Sequence, residues 1–413
     1  VTAQRPSSRI FYGWFVVAAA FVITFVGFGS AYTFGSFVDA FEKTFGASRG
    51  EVSLVFSLAG FLYFSLGAVS GPLADRWGAR WLAVIGMIFV GMGLIFAGRA
   101  ETLVGVYLAY GLGIGIGIGF AYVPALGAVQ RWFVQRRGLA SGLAVSGIGV
   151  GTLAMPPLAT ALVANLGWRG AYSTLGVLAI VVGSVAALLI NDDPACRGLH
   201  PDGISPETAG PSVTRAGLSV RQAVRTRRFA ELYMACLIGS LGVFVPFVHL
   251  VPFAVDLGMS STAAVWLMGA IGIGSTIGRF FLGGVADKMG RERFLVAMYL
   301  GMAGSLVIWA LSATPLLLVI FALSFGLFYG GWVAVLPAVV ADLFGSRSVG
   351  GIIGVLYTSV AIGTLIGPSS VGFIYDISHS YFVSIAASAV SNAVAAVIVV
   401  LAVKRSVAER KPG

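Results

Sequence analysis

Arg279 is the residue whose type and setting point most directly to chemistry. It stands in an apolar stretch from Thr262 to Val285 that carries no other charge. A guanidinium offers a planar fork that takes a carboxylate through two parallel hydrogen bonds. At membrane depth it costs at least about 2.5–3.5 kcal/mol on insertion scales, so it faces protein or a water-filled cavity. Anion binding is the chemistry this implies. The competing reading is structural, with Arg279 bonded to backbone carbonyls or to a carboxylate of a neighbouring helix. No acid lies deep in any other apolar stretch, which weakens that reading. Ser275, four residues before Arg279, shares its helix face.

His249 is the second candidate, in Val245-Pro246-Phe247-Val248-His249-Leu250. A neutral imidazole is tolerable in an apolar stretch, and a nearby anion favours its protonated form. Two roles fit it: holding a proton or donating to a bound carboxylate, or bonding a backbone group near the outer end. Tyr32, Tyr122, Tyr329 and Tyr357 fall in four different apolar stretches. Each phenol gives an apolar wall with one hydrogen-bonding tip, although tyrosines in such stretches also serve packing. Tyr329 stands out for its Phe328-Tyr329-Gly330-Gly331 context. Arg279, His249, Ser275 and these four tyrosines form the expected binding set, with His249 and Arg279 coupling the proton.

The elements that must position these residues follow from composition. The 413 residues are 58% hydrophobic and 10% charged, with mean hydropathy +0.95, which identifies a polytopic membrane protein. The 57 glycines suit helices that approach closely without a hydrophobic driving force between them. Apolar spans are predicted at 11–38, 52–70, 81–98, 102–130, 138–164, 169–190, 229–255, 262–285, 294–312, 315–341, 349–374 and 380–403. A polar break at 191–228, with six Arg, separates two groups of six. With both termini cytoplasmic, the cytoplasmic segments hold 21 of the 26 basic residues, and Lys43, Arg49, Arg99 and Arg169 lie opposite. That bias sets the orientation. It also removes nucleic acid as the explanation of the +10 net charge.

The two groups repeat. Gly71-Pro72-Leu73-Ala74-Asp75-Arg76-Trp77-Gly78 matches Gly283-Gly284-Val285-Ala286-Asp287-Lys288-Met289-Gly290 at an offset of 212. The same offset relates Gly138 to Gly350, Gly142 to Gly354, Gly151 to Gly363 and Pro156 to Pro368. An even number of helices per group makes this a parallel repeat about an axis along the membrane normal. Glycine at 67 stands where the second copy has Arg279.

These two loops resemble the signature loop of the major facilitator superfamily. Within it, Phe133-Val134-Gln135-Arg136-Arg137-Gly138-Leu139-Ala140, continued by Gly142-Leu143-Ala144 and Ser146-Gly147 with Gly151, resembles the fifth-helix signature of the monocarboxylate transporter family. Gly13-Trp14 matches part of that family's first-helix signature, and the preceding acidic-Gly pair is absent. The resemblance implies two six-helix bundles rocking around a central cavity, with the arginine of the eighth helix on the substrate carboxylate. It implies a switching role for the loop residues Asp75, Arg76, Arg80, Asp287, Lys288, Arg291 and Arg137, with Asp342 and Arg347 nearby. Simple turn geometry, with Gly78 and Gly290, is the alternative for those loops. The chain departs from the family pattern at two further places. Ser275 replaces the acid one turn before the arginine, and no Lys occurs around Ala31-Tyr32-Thr33. His249 is then the remaining candidate for the coupled proton.

A single intramembrane cation is neutralised by a monoanion, whereas a dianion leaves surplus charge in a low-dielectric cavity. The related oxalate–formate exchangers add a Lys in helix eleven, and 349–374 has no Lys or Arg. The arginine of the superfamily's antiport motif in helix four is replaced by Tyr107, and the helix-five antiporter motif is imperfect at Ala154-Met155-Pro156-Pro157. The run Gly111, Gly113, Gly115, Gly117, Gly119 lacks the strand and acid of a nucleotide loop and predicts close helix packing or bending. Cys196 and Cys236 share no metal-like spacing, and neither a P-loop nor a metal cluster is present. The first apolar segment is too long for a cleavable signal peptide.

The sequence thus predicts an all-α membrane protein of the major facilitator fold. Residues 1–190 and 229–413 form the bundles, and 191–228 the cytoplasmic loop between them. The expected activity is symport of a short monocarboxylate, such as lactate or pyruvate, with a proton across the cell membrane. The expected protein is a monomer in a lipid bilayer and not an enzyme; it has no cofactor beyond the coupling proton, no metal and no nucleic-acid partner. The rivals are an organic-anion exchanger of the same fold and a non-transporting membrane receptor.

Overall fold

The computed structural model describes residues 11–134, 136–203, 217–345 and 348–409. The side chains of Asp75, Arg137, Asp287 and 406–409, and residue Arg347, lie outside the described residues. The architecture is all helical. Among the described residues, eleven segments are long and apolar enough to span a membrane. They are α1 (Gly13–Ser36), α2 (Arg49–Ala74), α3 (Ala79–Arg99), α4 (Leu103–Trp132), a 51-residue segment Gly138–Leu188, α7 (Arg227–Asp256), α8 (Ser261–Phe281), α9 (Arg291–Ala310), α10 (Pro315–Phe344), α11 (Val349–Ser378) and α12 (Phe382–Arg405).

The 51-residue segment is about 76 Å long at 1.5 Å per residue, against a hydrocarbon core of about 30 Å. It breaks at Gly167, whose φ of 68° lies in the left-handed region. Before the break the limb runs parallel to α1: Gly147 meets Phe21 and Thr24, and Gly151 meets Phe25 and Gly29. After it the limb runs antiparallel to α3: Gly98 meets Arg169, Gly91 meets Gly176 and Met87 meets Gly183. These limbs are α5 and α6, and the chain crosses twelve times, as the sequence predicts. The described residues therefore begin and end on one face, here the termini face; the opposite one is the far face.

Local departures have local causes. α7 is two limbs, Arg227–Val243 and Val245–Asp256, broken just before Pro246, whose ring removes a helical donor. α4 contains a π-helical stretch at Tyr107–Leu112. Its glycine run packs on both sides. A Cβ at Gly113 or Gly117 would overlap α3 at Gly93 and Gly86, and one at Gly115 or Gly119 would overlap Leu62 and Leu66 of α2. Close packing, rather than ligand binding, accounts for this run. The repeated loops turn at equivalent glycines, Gly78 and Gly290, each with φ 86°.

The halves meet along two antiparallel helix pairs, α2 with α11 and α5 with α8. Gly50 abuts Gly372 and Gly354 abuts Ala68 in the first pair, and Gly149 abuts Gly272 in the second. The segment after α6 folds back on the first half. Asp202 accepts from the backbone N of Val134 at 2.8 Å, and the Arg197 guanidinium sits 3.5 Å over the Tyr12 ring. Large apolar side chains such as Phe96, Val185, Phe281 and Ile377 are exposed on the outside, the surface that faces lipid tails.

Candidate functional site

Arg279 lies on the buried side of α8 with 6% of its surface exposed, and the opposite side of the helix exposes Trp266, Ile273, Ile277 and Phe280. α8 can press that side into the bundle because glycines remove the side chains between it and α10. A Cβ at Gly274 would overlap Leu323 O, one at Gly278 Leu327 O, and one at Gly330 Ser275 O. This contact delivers Tyr329 of α10 to Arg279, with the guanidinium carbon 5.8 Å from the ring centroid, within cation–π range.

Tyr329 reaches the other half of the molecule. Its hydroxyl lies 3.2 Å from that of Tyr32 on α1, and Tyr32 stacks on Phe247 of α7 at 4.3 Å. Phe28 on α1 packs against Tyr32, Tyr63 and Tyr122 with ring centroids 6.0, 5.5 and 5.2 Å away. Tyr122 and Tyr357 lie within electrostatic range of Arg279, and Tyr357 meets Phe64 of α2 edge-on at 5.8 Å. The four tyrosines singled out in the sequence thus belong to one connected aromatic cluster at the seam between the halves, with Tyr329 as the member in contact with Arg279.

No hydrogen-bond acceptor among the described residues reaches Nε, Nη1 or Nη2 of Arg279, and the buried Ser275 Oγ is likewise without a partner. Buried polar groups are almost always paired, and an unpaired buried charge is the costliest exception. The structural alternative for Arg279, bonding to carbonyls or to a carboxylate of another helix, is not what the described residues provide. A cation with a free fork, walled by phenols and small residues, can take a carboxylate.

His249 occupies a different place. It is fully buried on α7, with Nε2 2.8 Å from Pro368 O of α11 and 3.4 Å from Ser53 Oγ of α2. Nδ1 has no partner among the described residues. Its ring lies 5.5 Å from that of Tyr381. Counting helical rise from the far-face ends of α7 and α8, His249 sits roughly 15 Å nearer that face than Arg279. The bond to Pro368 is the backbone contact that the sequence leaves open as its second role.

At the termini face, Arg80 Nε donates to Ile190 O at 2.7 Å and Arg291 Nη1 pairs with Asp342 at 2.6 Å. Arg76 and Lys288 are exposed. The side chains of Asp75, Asp287 and Arg137 are outside the described residues, so their switching role has no geometry here. The carboxylate that caps α3 is Asp192, which accepts from the Ala79 backbone N and lies 3.5 Å from Arg131 Nη2. Asp192 escaped sequence reasoning because it falls in the polar break, 113 residues from its partner. Tyr63 was also missed. It is buried at the aromatic cluster, its hydroxyl has no partner among the described residues, and its place among thirteen tyrosines carries no distinguishing signal.

Comparison with known proteins agrees with this architecture. Human monocarboxylate transporter 11 is 29% identical over 379 residues, covering 88% of this chain and 77% of the relative. Rat (Rattus norvegicus) monocarboxylate transporter 13 is 28% identical over 380 residues, covering 90% and 85%. Chicken (Gallus gallus) monocarboxylate transporter 4 is 29% identical over 381 residues, covering 90% and 78%. Among solved structures, a bacterial homolog of the human lysosomal transporter Spinster, inward-facing and occupied, superposes with a TM-score of 0.73 at 17% identity, over 99% of this chain and all of that one. A family model described as Major Facilitator Superfamily matches residues 20–310 and 232–413. The chain belongs to the Major Facilitator Superfamily, and the three relatives named above are monocarboxylate transporters.

Proposed function

We propose that this transporter carries a short monocarboxylate, of the lactate or pyruvate kind, together with a proton, by alternating access between its two halves. The observation that carries the reading is the unpaired fork of Arg279, buried where Tyr329 of one half meets Tyr32 of the other. The carboxylate takes the fork. Tyr122, Tyr357 and Ser275 border the remainder of the anion, and closure of the phenols over it links binding to the arrangement of the halves. One cation in the chamber selects one negative charge, so oxalate is a poor substrate. The proton is held by His249, whose Nδ1 has no partner among the described residues and which sits nearer the far face than Arg279. The excess of basic residues on the termini side supports a cytoplasmic location for that face, in the cell membrane. The described residues contain no group of three or more metal-ligating side chains, and the mechanism uses no covalent step.

The test is uptake into proteoliposomes with imposed proton gradients, offering lactate, pyruvate, oxalate and formate. Lactate or pyruvate should accumulate with an inward proton gradient and oxalate should not. Arg279→Lys keeps the charge and loses the fork, so it should weaken binding at least about tenfold, one charged hydrogen bond at about 1.5–3 kcal/mol. Oxalate uptake equal to lactate, or counterflow indifferent to pH, would overturn the substrate and coupling in favour of an anion exchanger. Anion binding with no transport would point to a receptor.

A further inference from the structure

The far face is closed by a charged cluster that the chamber chemistry does not use. We propose that Arg49 is the latch of that gate: a single cation that ties the two halves while the chamber is shut to the far face, and whose release opens it. The proposal rests on the alternating-access reading above.

Arg49 begins α2, directly after Ser48, the N-cap of a capping box completed by Glu51. Its side chain is 10% exposed. Nη1 donates to Asp256 Oδ2 at 2.7 Å and to the Tyr381 hydroxyl at 2.8 Å, both on the second half. Nε donates to Glu42 Oε1 at 2.9 Å, on its own half. The guanidinium carbon stands 4.3 Å over the Tyr375 ring, and the Tyr375 hydroxyl donates to Asp256 at 3.1 Å. The backbone joins in: the N–H groups of Arg49 and Gly50 donate to the two carboxylate oxygens of Asp376, each at 2.9 Å. A carboxylate of α11 thereby caps the helix N-terminus of α2, where anions are favoured.

Two features make this a latch and not a static brace. First, the cluster crosses the seam. Among the described residues, the ion pairs at the termini face are Arg291 with Asp342 and Arg227 and Arg405 with Glu231, which lie within the second half, and Arg131 with Asp192, which ties the first half to the segment that follows it. Second, it is electrically one-sided. Arg49 meets three carboxylates, Glu42 from the first half and Asp256 and Asp376 from the second. Without the guanidinium these like charges face one another across the seam at partly desolvated positions, where repulsion is poorly screened. One turn deeper, Ser53, His249 and Pro368 form the next layer of the closure. Ser53 is fully buried while the latch is shut.

The test uses the full-length protein in sealed vesicles, with Cys196→Ser removing the exposed native thiol and Ser53→Cys as reporter. A membrane-impermeant maleimide is added from the far side. Ser53→Cys alone should label slowly. Adding Arg49→Gln, Asp256→Asn or Asp376→Asn should raise the labelling rate at least tenfold, equivalent to about 1.4 kcal/mol in the opening equilibrium. If Arg49→Gln does not yield folded protein, the two Asp variants decide. Unchanged labelling in folded latch variants overturns the proposal. The readout needs no substrate, so it stands even if lactate proves to be the wrong cargo. Conversely, loss of uptake in Arg279→Lys with normal latch labelling separates the chamber from the gate.

Discussion

Replacing Arg279 with methionine should make the substrate-free protein more stable and abolish anion binding. The side chain is 6% exposed and its three nitrogens have no acceptor among the described residues. Holding such a cation at membrane depth costs about 2.5–3.5 kcal/mol. Methionine occupies similar length, is apolar and adapts to irregular gaps. Against the gain stands the loss of the cation–π contact with Tyr329, about 2 kcal/mol for a desolvated pair. The net gain is then about 0.5–1.5 kcal/mol. Extrapolating from smaller proteins to this chain length, roughly 1–2 °C per kcal/mol, the melting temperature should rise by about 1–3 °C. Intrinsic fluorescence of the eight tryptophans in detergent follows the transition. Lactate at a hundred times its Kd should stabilise the wild type by about 2.7 kcal/mol and leave the variant unmoved. A structural arginine predicts the reverse, because breaking a satisfied buried network costs about 3–5 kcal/mol. A clear fall in melting temperature, or lactate stabilisation retained by Arg279→Met, would refute the reasoning.

Tyr32→Phe removes the hydroxyl contact that joins the halves above Arg279. It should weaken lactate affinity or slow exchange by about 2–10-fold, the worth of one neutral hydrogen bond, without loss of folded yield in gel filtration. Gly326→Leu should sharply reduce folded yield, since a Cβ there overlaps Ile271 O and drives α10 off α8. Glu42, in the short helix Val38–Phe45, is held above the ordinary carboxylate range by burial, with Arg49 pulling the other way. A raised folded-state value means the folded protein takes up the proton first, so stability falls as pH rises through that value. Glu42→Gln should therefore raise the melting temperature at neutral pH, and the gain should vanish as pH drops toward the normal range near 4.

The twelve crossings, the internal repeat and the lone cation were legible because each is local. A run of apolar residues, a fixed offset between two glycine-flanked loops and a charge without an acid nearby can all be read along one line of text. The gathering of Tyr32, Tyr122, Tyr329 and Tyr357 could be expected only because four spans each carried a phenol. The far-face cluster was not legible. Arg49 entered the sequence reading as one of four off-side basic residues, and its carboxylate partners come from three separate segments up to 327 residues away. His249 shows the same limit. Its type advertises a proton, whereas its placement beside Ser53 and Pro368 is decided by how α2, α7 and α11 pack.

Arg279 belongs to one repeat alone, with Gly67 at the equivalent position of the other. Under the binding mode proposed above, cargo would acquire a heading: its charged head would be moored to α8, and its organic tail would face the opposite bundle, where Phe28 and Tyr122 pack together. During each swing the passenger would ride with its mooring while the facing wall sweeps past. Charge recognition and shape discrimination are then divided between the bundles, and retuning the tail pocket on α1 and α4 could change which acid is carried without disturbing how acids are held.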